Sequence, residues 1–215
     1  RLIVLDSFFR QESGVGGSST DYTLDLSDHL TDVLSLRLWS IEVPLTYYII
    51  DTAYGNTYFW ISDGNNNIPI LLESGNYTPG TLVVALNAAF TAAGFALFDT
   101  TPPVSYNSSN YKITMKLMGC QYTPPSSSTT AFTIDTFTEL RFFDPTATLE
   151  SNNTANPPML YVNQTLGWLL GYHNNIGVIP IDASGNTGDA VLDLNGPRYF
   201  ILALDDYNQN HLNNG

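Results

Sequence analysis

The feature that most constrains this chain is a succession of short apolar runs, each broken after a few residues by turn formers. Gly55-Asn56 and Asp63-Gly64-Asn65 separate three such runs at residues 47–51, 57–62 and 68–73. Runs of this length bounded by Gly, Asn and Asp read as strands. Others lie at residues 1–6, 22–26, 111–118, 132–134, 139–143, 176–181 and 199–204. Residues 33–43 alternate less strictly. Leu34, Leu36 and Leu38 share one face, and Val33, Trp39, Ile41 and Val43 share the other. Apolar groups on both faces predict a central strand, ended by Pro44. Strands recurring at roughly 8–12 residues predict an all-β sandwich or barrel, and a jelly-roll-like β-sandwich is a common solution at this size. The 215 residues are expected to form a single β-sandwich domain.

One segment departs from this pattern. Thr78 is placed to cap a helix, Pro79 suits its first position, and Gly94 its end, so an inserted α-helix is predicted at about residues 78–94. Leu82, Leu86, Ala89 and Ala93 form its apolar stripe, widened by Val83 and Phe90. A second, shorter helix is predicted near residues 165–171, including Leu166, Trp168 and Leu169. Residues 7–20, rich in Gly and Ser from residue 13, read as a flexible N-terminal loop or arm. Residues 123–130 and 151–158 read as exposed loops.

Charge narrows the function classes. Only 13% of residues are charged, about half the usual share of roughly 25%, and the formal net charge is −13. The lysines are Lys112 and Lys116 alone, and no basic cluster exists. Direct nucleic-acid contact is therefore not expected, nor attraction to anionic lipid. No apolar run reaches the ~18 residues of a membrane-spanning helix. Cys120 is the single cysteine, which excludes an intramolecular disulfide and fits a reducing compartment. It is expected to be a buried small hydrophobe. A chain opening on Arg1 rather than Met is expected to be a processed or partial product.

Residues that carry chemistry are sparse. His29, His173 and His211 have no ligand spacing and are expected to be solvated. Asp205-Asp206 is a fragment of a calcium loop at most, and reads as an acidic strand exit. Residues 182–189 (DASGNTGD) lack the acidic pattern of an EF-hand and read as a polar hairpin loop. No nucleophile elbow or phosphate loop is present. No catalytic, cofactor-binding or metal-binding residues are therefore assigned. Asn-x-Ser/Thr sequons at Asn76, Asn107, Asn152 and Asn163 leave glycosylation open. Aromatics are plentiful, with 13 Tyr, 11 Phe and 3 Trp. Neighbours along a strand point to opposite faces, so half of Tyr47-Tyr48, Tyr58-Phe59-Trp60 and Phe142-Phe143 are expected to face outward as interface anchors.

Several blocks occur in a familiar order. Val4-Leu-Asp-Ser-Phe-Phe-Arg10 resembles the V-D-S-R-Y/F-R opening of a family of virion proteins, with Phe8 where that family often has Arg. Asp21-Tyr-Thr-Leu-Asp-Leu26 and Val33-Leu-Ser-Leu-Arg-Leu-Trp-Ser-Ile-Glu-Val-Pro44 resemble its next blocks. Glu73-Ser-Gly-Asn-Tyr-Thr-Pro79, Thr165-Leu-Gly-Trp-Leu-Leu-Gly-Tyr172 and the Asp-Asp-Tyr-Asn of residues 205–208 follow in the same order. Together they resemble the minor capsid or penton-type jelly-roll proteins of the large icosahedral double-stranded DNA viruses of eukaryotes. The resemblance implies a structural, non-enzymatic capsid protein of the virion. It would assemble in the host cytoplasm with itself, the major capsid protein and other minor capsid proteins. It also implies that the family continues past residue 208, so this chain is expected to be truncated. The alternative from the residues themselves is a carbohydrate- or receptor-binding β-sandwich of spike or lectin type. A β-sandwich hydrolase would need a convergent carboxylate pair, for instance Asp205 with Glu139 or Asp193.

Overall fold

Strand β1 (Tyr58–Ser62) is the organising element, because all five of its residues are buried. The computed structural model describes residues 2–10, 24, 26, 28, 30–43, 46–96, 102–118, 120–125, 132–133, 137–142, 165–174, 178–196 and 202. Among them the chain is predominantly β, with ten short strands, two α-helices and two 3-10 turns. The chain divides into two units, Arg1–Leu45 and Thr46–Gly215.

In the second unit every strand pairing is antiparallel. β1 lies between β2 (Asn67–Leu71) and β8 (Glu139–Arg141), and β9 (Val178–Pro180) completes a four-stranded sheet, β2-β1-β8-β9. β4 (Val104–Asn107), β5 (Lys112–Met115) and β10 (Asn186–Thr187) form a three-stranded sheet in the order β10-β5-β4. β3 (Phe95–Ala96), β6 (Gln121–Tyr122) and β7 (Phe132–Thr133) form another, β3-β6-β7. The turn from β1 to β2 closes as its residues demand. Asp63 Oδ1 accepts from the Asn65 and Asn66 amides at 2.8 and 2.6 Å, and Gly64 takes φ +92°.

Helix α1 (Pro79–Ala92) forms where the sequence places it. The Thr81 amide donates to Thr78 Oγ1 at 3.2 Å and the Thr78 amide to Thr81 Oγ1 at 2.9 Å, a reciprocal cap. Gly94, at φ +102°, ends the helix, and a Cβ there would overlap the Thr123 carbonyl. Leu82, Leu86, Ala89 and Phe90 are the buried stripe, and the helix lies against β2, β3 and β4. The short helix α2 (Leu166–Leu169) is capped by Thr165. It closes with the Tyr172 amide on the Gly167 carbonyl and the Gly171 amide on the Trp168 carbonyl, which is a Schellman end.

An aromatic chain runs through the core. Phe137, Phe95, Phe90, Phe59, Phe142 and Tyr172 follow one another with ring centroids 6.0, 5.7, 5.8, 5.6 and 5.2 Å apart. It ties α1, β1, β3 and the segment after α2 together. Gly167 is glycine because the Phe142 ring occupies the space a Cβ would fill. Gly167→Ala should cost about 1–3 kcal/mol through overpacking, measured by urea denaturation.

Asn87 joins α1 to β4. Its Oδ1 accepts from the Val104 amide at 2.9 Å, and its Nδ2 donates to the Val104 carbonyl at 3.0 Å and to the Val83 carbonyl at 2.9 Å. The side chain thus takes the place of a neighbouring strand. Asn87→Leu keeps the branched shape but strands both Val104 groups, and should cost about 1–3 kcal/mol in the same measurement.

Several expectations are corrected. Residues 33–43 carry no strand, turn, bend or bridge and are exposed throughout, so they are not the central strand. That role belongs to β1, whose apolar groups on both faces are covered. Residues 2–6 form no strand either; Asp6 instead caps a 3-10 turn at Ser7–Phe9, the start of the expected arm. Residues 47–51 reduce to a single bridge between Ile50 and Gly75. The rest of the arm, most of residues 22–26, and nearly all of 199–204 lie outside the described residues.

Candidate functional site

Two surfaces compete for the functional role, the polar loops of the β body and the apolar N-terminal segment. The loops are occupied locally. In the β9–β10 connection Asp182 accepts from the Ser184 amide at 2.7 Å and Ser184 Oγ at 2.5 Å, which holds its carboxyl below the usual range. Asn186 Nδ2 donates to the Pro180 carbonyl at 2.8 Å. β9 and β10 belong to different sheets, so this loop is an inter-sheet crossing and not the expected hairpin. Asp189 Oδ1 accepts from the His173 amide at 2.8 Å, and Lys112 Nζ donates to the Asp189 carbonyl at 2.8 Å.

His173 is not simply solvated as expected. It is half-buried and stacked on Trp168 at 3.8 Å, with Nε2 3.0 Å from the Trp168 carbonyl oxygen. Tyr172 beside it donates its hydroxyl to the Asn186 carbonyl at 2.8 Å, and burial pushes its phenol well above the ordinary value. Cys120 is buried in the core.

Of the carboxylates of the hydrolase alternative, Glu139 and Asp193 are engaged close by. Glu139 is paired with Arg141 on β8, and Asp193 accepts from the Asn195 amide at 3.1 Å and its Nδ2 at 3.0 Å. Asp205, Asp206, His29, His211, Asn152 and Asn163 lie outside the described residues. Among the described residues no group of three or more His, Cys, Asp or Glu could hold a metal ion, and no helix is long and apolar enough to cross a membrane. Of the remaining sequons, Asn76 accepts from the Ile49 amide at 2.8 Å and donates to the Tyr47 carbonyl at 3.1 Å. Asn107 accepts from the Ser109 amide at 2.9 Å in the β4–β5 turn.

Exposed carboxylates that cap turns make stability pH-dependent. Asp63 is held below the ordinary 3.8, chiefly by the Asn66 amide, and Asp182 likewise by Ser184. A lowered folded value means the stabilisation is complete above the unfolded value and is lost as pH falls through the folded one. Melting temperature should therefore drop below about pH 4, and Asp63→Ala should make that acid limb shallower.

The expected outward aromatics of β1 are not at the surface. Tyr58 is 3% and Trp60 5% exposed, so neither face of β1 offers a platform. Phe142 is buried too, and Phe143 lies outside the described residues; only Tyr48, at 50%, is an exposed member of these groups.

The N-terminal segment is the opposite case. Of the 23 large apolar side chains exposed among the described residues, 14 lie within the first 43 positions, a fifth of the chain. They include Phe8, Leu34, Leu36 and Trp39 at 81, 100, 66 and 82%. Phe8 and Phe9 meet edge to face at 5.3 Å. Within the same unit Leu2, Leu5, Phe9, Leu24, Leu26 and Leu30 help to line a hollow of about 410 Å³. This concentration of exposed apolar side chains makes the N-terminal segment the candidate interaction surface. The double-faced apolar pattern of residues 33–43 was its sequence signal. Asn87 was missed, although a polar residue beside a buried helical stripe is the signal that could have found it. Comparisons with protein-family models, with curated proteins and with solved structures find no match to this chain.

Proposed function

We propose that this chain is a structural virion protein, a minor capsid or penton component of a large icosahedral double-stranded DNA virus of eukaryotes. Its body is a jelly-roll-like sandwich. The chain assembles with itself, the major capsid protein and other minor capsid proteins into the shell, in the host cytoplasm. The observation that carries this reading is the apolar surface gathered in the first 43 residues, on a chain whose body is predominantly β. The ordered sequence blocks support it, as does the scarcity of charge, which suits dense protein packing.

Co-expression with the major capsid protein of such a virus tests the proposal. The chain should co-sediment with assembled shells. Leu36→Asp with Trp39→Asp should abolish that while leaving the melting temperature of the β body unchanged. Absence from the shells, together with specific binding on a glycan array, would replace this reading with the carbohydrate-binding one.

A further inference from the structure

The β body is poorly suited to pairing its sheets with a neighbour. The outer strands of the four-stranded sheet each contain a proline, Pro69 in β2 and Pro180 in β9. Proline offers no N–H to an incoming strand. The free side of β4 is held by Asn87, as described above. The other edge strands, β3, β7 and β10, are two residues long. Residues 33–43 are different. They run for eleven positions without a turn, bend, bridge or proline. Such an uncovered, apolar, unbent segment is a template for another strand.

We infer that residues 33–43 pair antiparallel with the same segment of a second copy, across a two-fold axis at Leu38. This deepens the proposal above, since it rests on reading the N-terminal segment as an assembly surface, and it names the first partner. Two observations favour a second copy. The body's own edges are blunted, so the segment is the longest unblocked edge among the described residues. Its charges, Arg37 and Glu42, cancel, whereas the whole chain carries −13, so copies repel elsewhere but not here.

The register follows from symmetry. A two-fold axis normal to the ribbon places opposite each other residues of the same face. Centred on Leu38, Arg37 of each copy lies opposite Trp39 of the other, guanidinium against indole, and Val33 lies opposite Val43. Centred on Arg37, the two guanidinium groups would confront each other. Centred on Trp39, Arg37 would face Ile41 and lose the indole, while Glu42 faces a leucine in either register, Leu34 or Leu36. A two-stranded ribbon is marginal alone. The dimer is therefore weak in isolation, and its outer faces remain for shell neighbours to cover.

Cysteine crosslinking of the 215-residue chain tests this. Leu38→Cys places two thiols across the axis, about 4.5–5.5 Å apart at the Cα atoms, a separation a disulfide accepts. Under mild oxidation it should form dimers faster than Tyr54→Cys, an exposed site on the body, by on the order of tenfold or more. Val33→Cys and Val43→Cys alone should crosslink no faster than Tyr54→Cys, while the double variant should match Leu38→Cys. The unsubstituted chain, with Cys120 buried, gives the background. Equal rates for Leu38→Cys and Tyr54→Cys, or rapid crosslinking of Val33→Cys alone, would overturn the pairing. If the pairing fails and the chain still co-sediments with shells, only this inference falls. If Leu38→Cys crosslinks and co-sedimentation fails, only the shell reading falls.

Discussion

Phe59→Ala should lower the unfolding free energy by about 3–5 kcal/mol, against a total of roughly 5–15 kcal/mol for a domain of this kind. Phe59 is fully buried and sits in mid-chain of the aromatic series, with Phe90 of α1 on one side and Phe142 on the other. Truncation removes the ring's own burial and leaves a cavity that two rigid neighbours cannot fill by small shifts. It also parts α1 from the four-stranded sheet. Equilibrium urea denaturation followed by tryptophan fluorescence reads the effect, since Trp60 is adjacent on β1. Phe59→Leu, which keeps most of the volume, should recover more than half of the loss. A loss under about 1 kcal/mol for the alanine variant would mean that the aromatic series does not bear on folding.

Leu86→Ala should cost about 2–5 kcal/mol, because Leu86 is fully buried at the centre of the α1 stripe. Val84 is two positions away on the same helix and 69% exposed. Val84→Ala should change stability by less than about 0.5 kcal/mol, so the pair separates docking from helix propensity. Equal effects at the two positions would show that the helix is not packed as described.

The helix was the most legible element in the sequence because its signals are local. Thr78, Pro79 and Gly94 act within a turn of the residues they cap, and the stripe of Leu82, Leu86 and Ala89 repeats at helical spacing. Strands β1, β2, β5, β8 and β9 were legible within a few residues for a similar reason, since turn formers bound them. What failed was rank among strands. Tyr58–Ser62 and residues 33–43 both carry apolar groups on two faces, yet only the first is covered. Whether such a run becomes a central strand depends on partners distant in sequence, here β2 and β8. Strands β3, β4, β6 and β10 escaped notice because they are only two to four residues long. Phe95 of β3, Val104 of β4 and Tyr122 of β6 are held in place by the core. The candidate site was half legible. The apolar groups of residues 33–43 stood out on both faces, but they were assigned to the inside of a central strand, whereas the segment forms no strand and is exposed throughout.

The blunted edges bear on the mode of assembly. Prolines in β2 and β9 and the Asn87 clasp on β4 leave the body's sheets ill suited to edge pairing. In the proposed shell role, assembly therefore falls to the N-terminal segment, whose side chains are at the surface. Substitutions there should leave folding of the β body intact while removing association, the reverse of what Phe59→Ala and Leu86→Ala should do.

A density map of an intact virus particle, with this chain located by its sequence-specific side-chain density, tests the central claim most directly. Density for the chain is expected in the shell, at a five-fold vertex or beneath the major-capsid lattice, with residues 33–43 covered by a neighbouring protein. A purified particle that lacks the chain, or that holds it with residues 33–43 exposed to solvent, would contradict it.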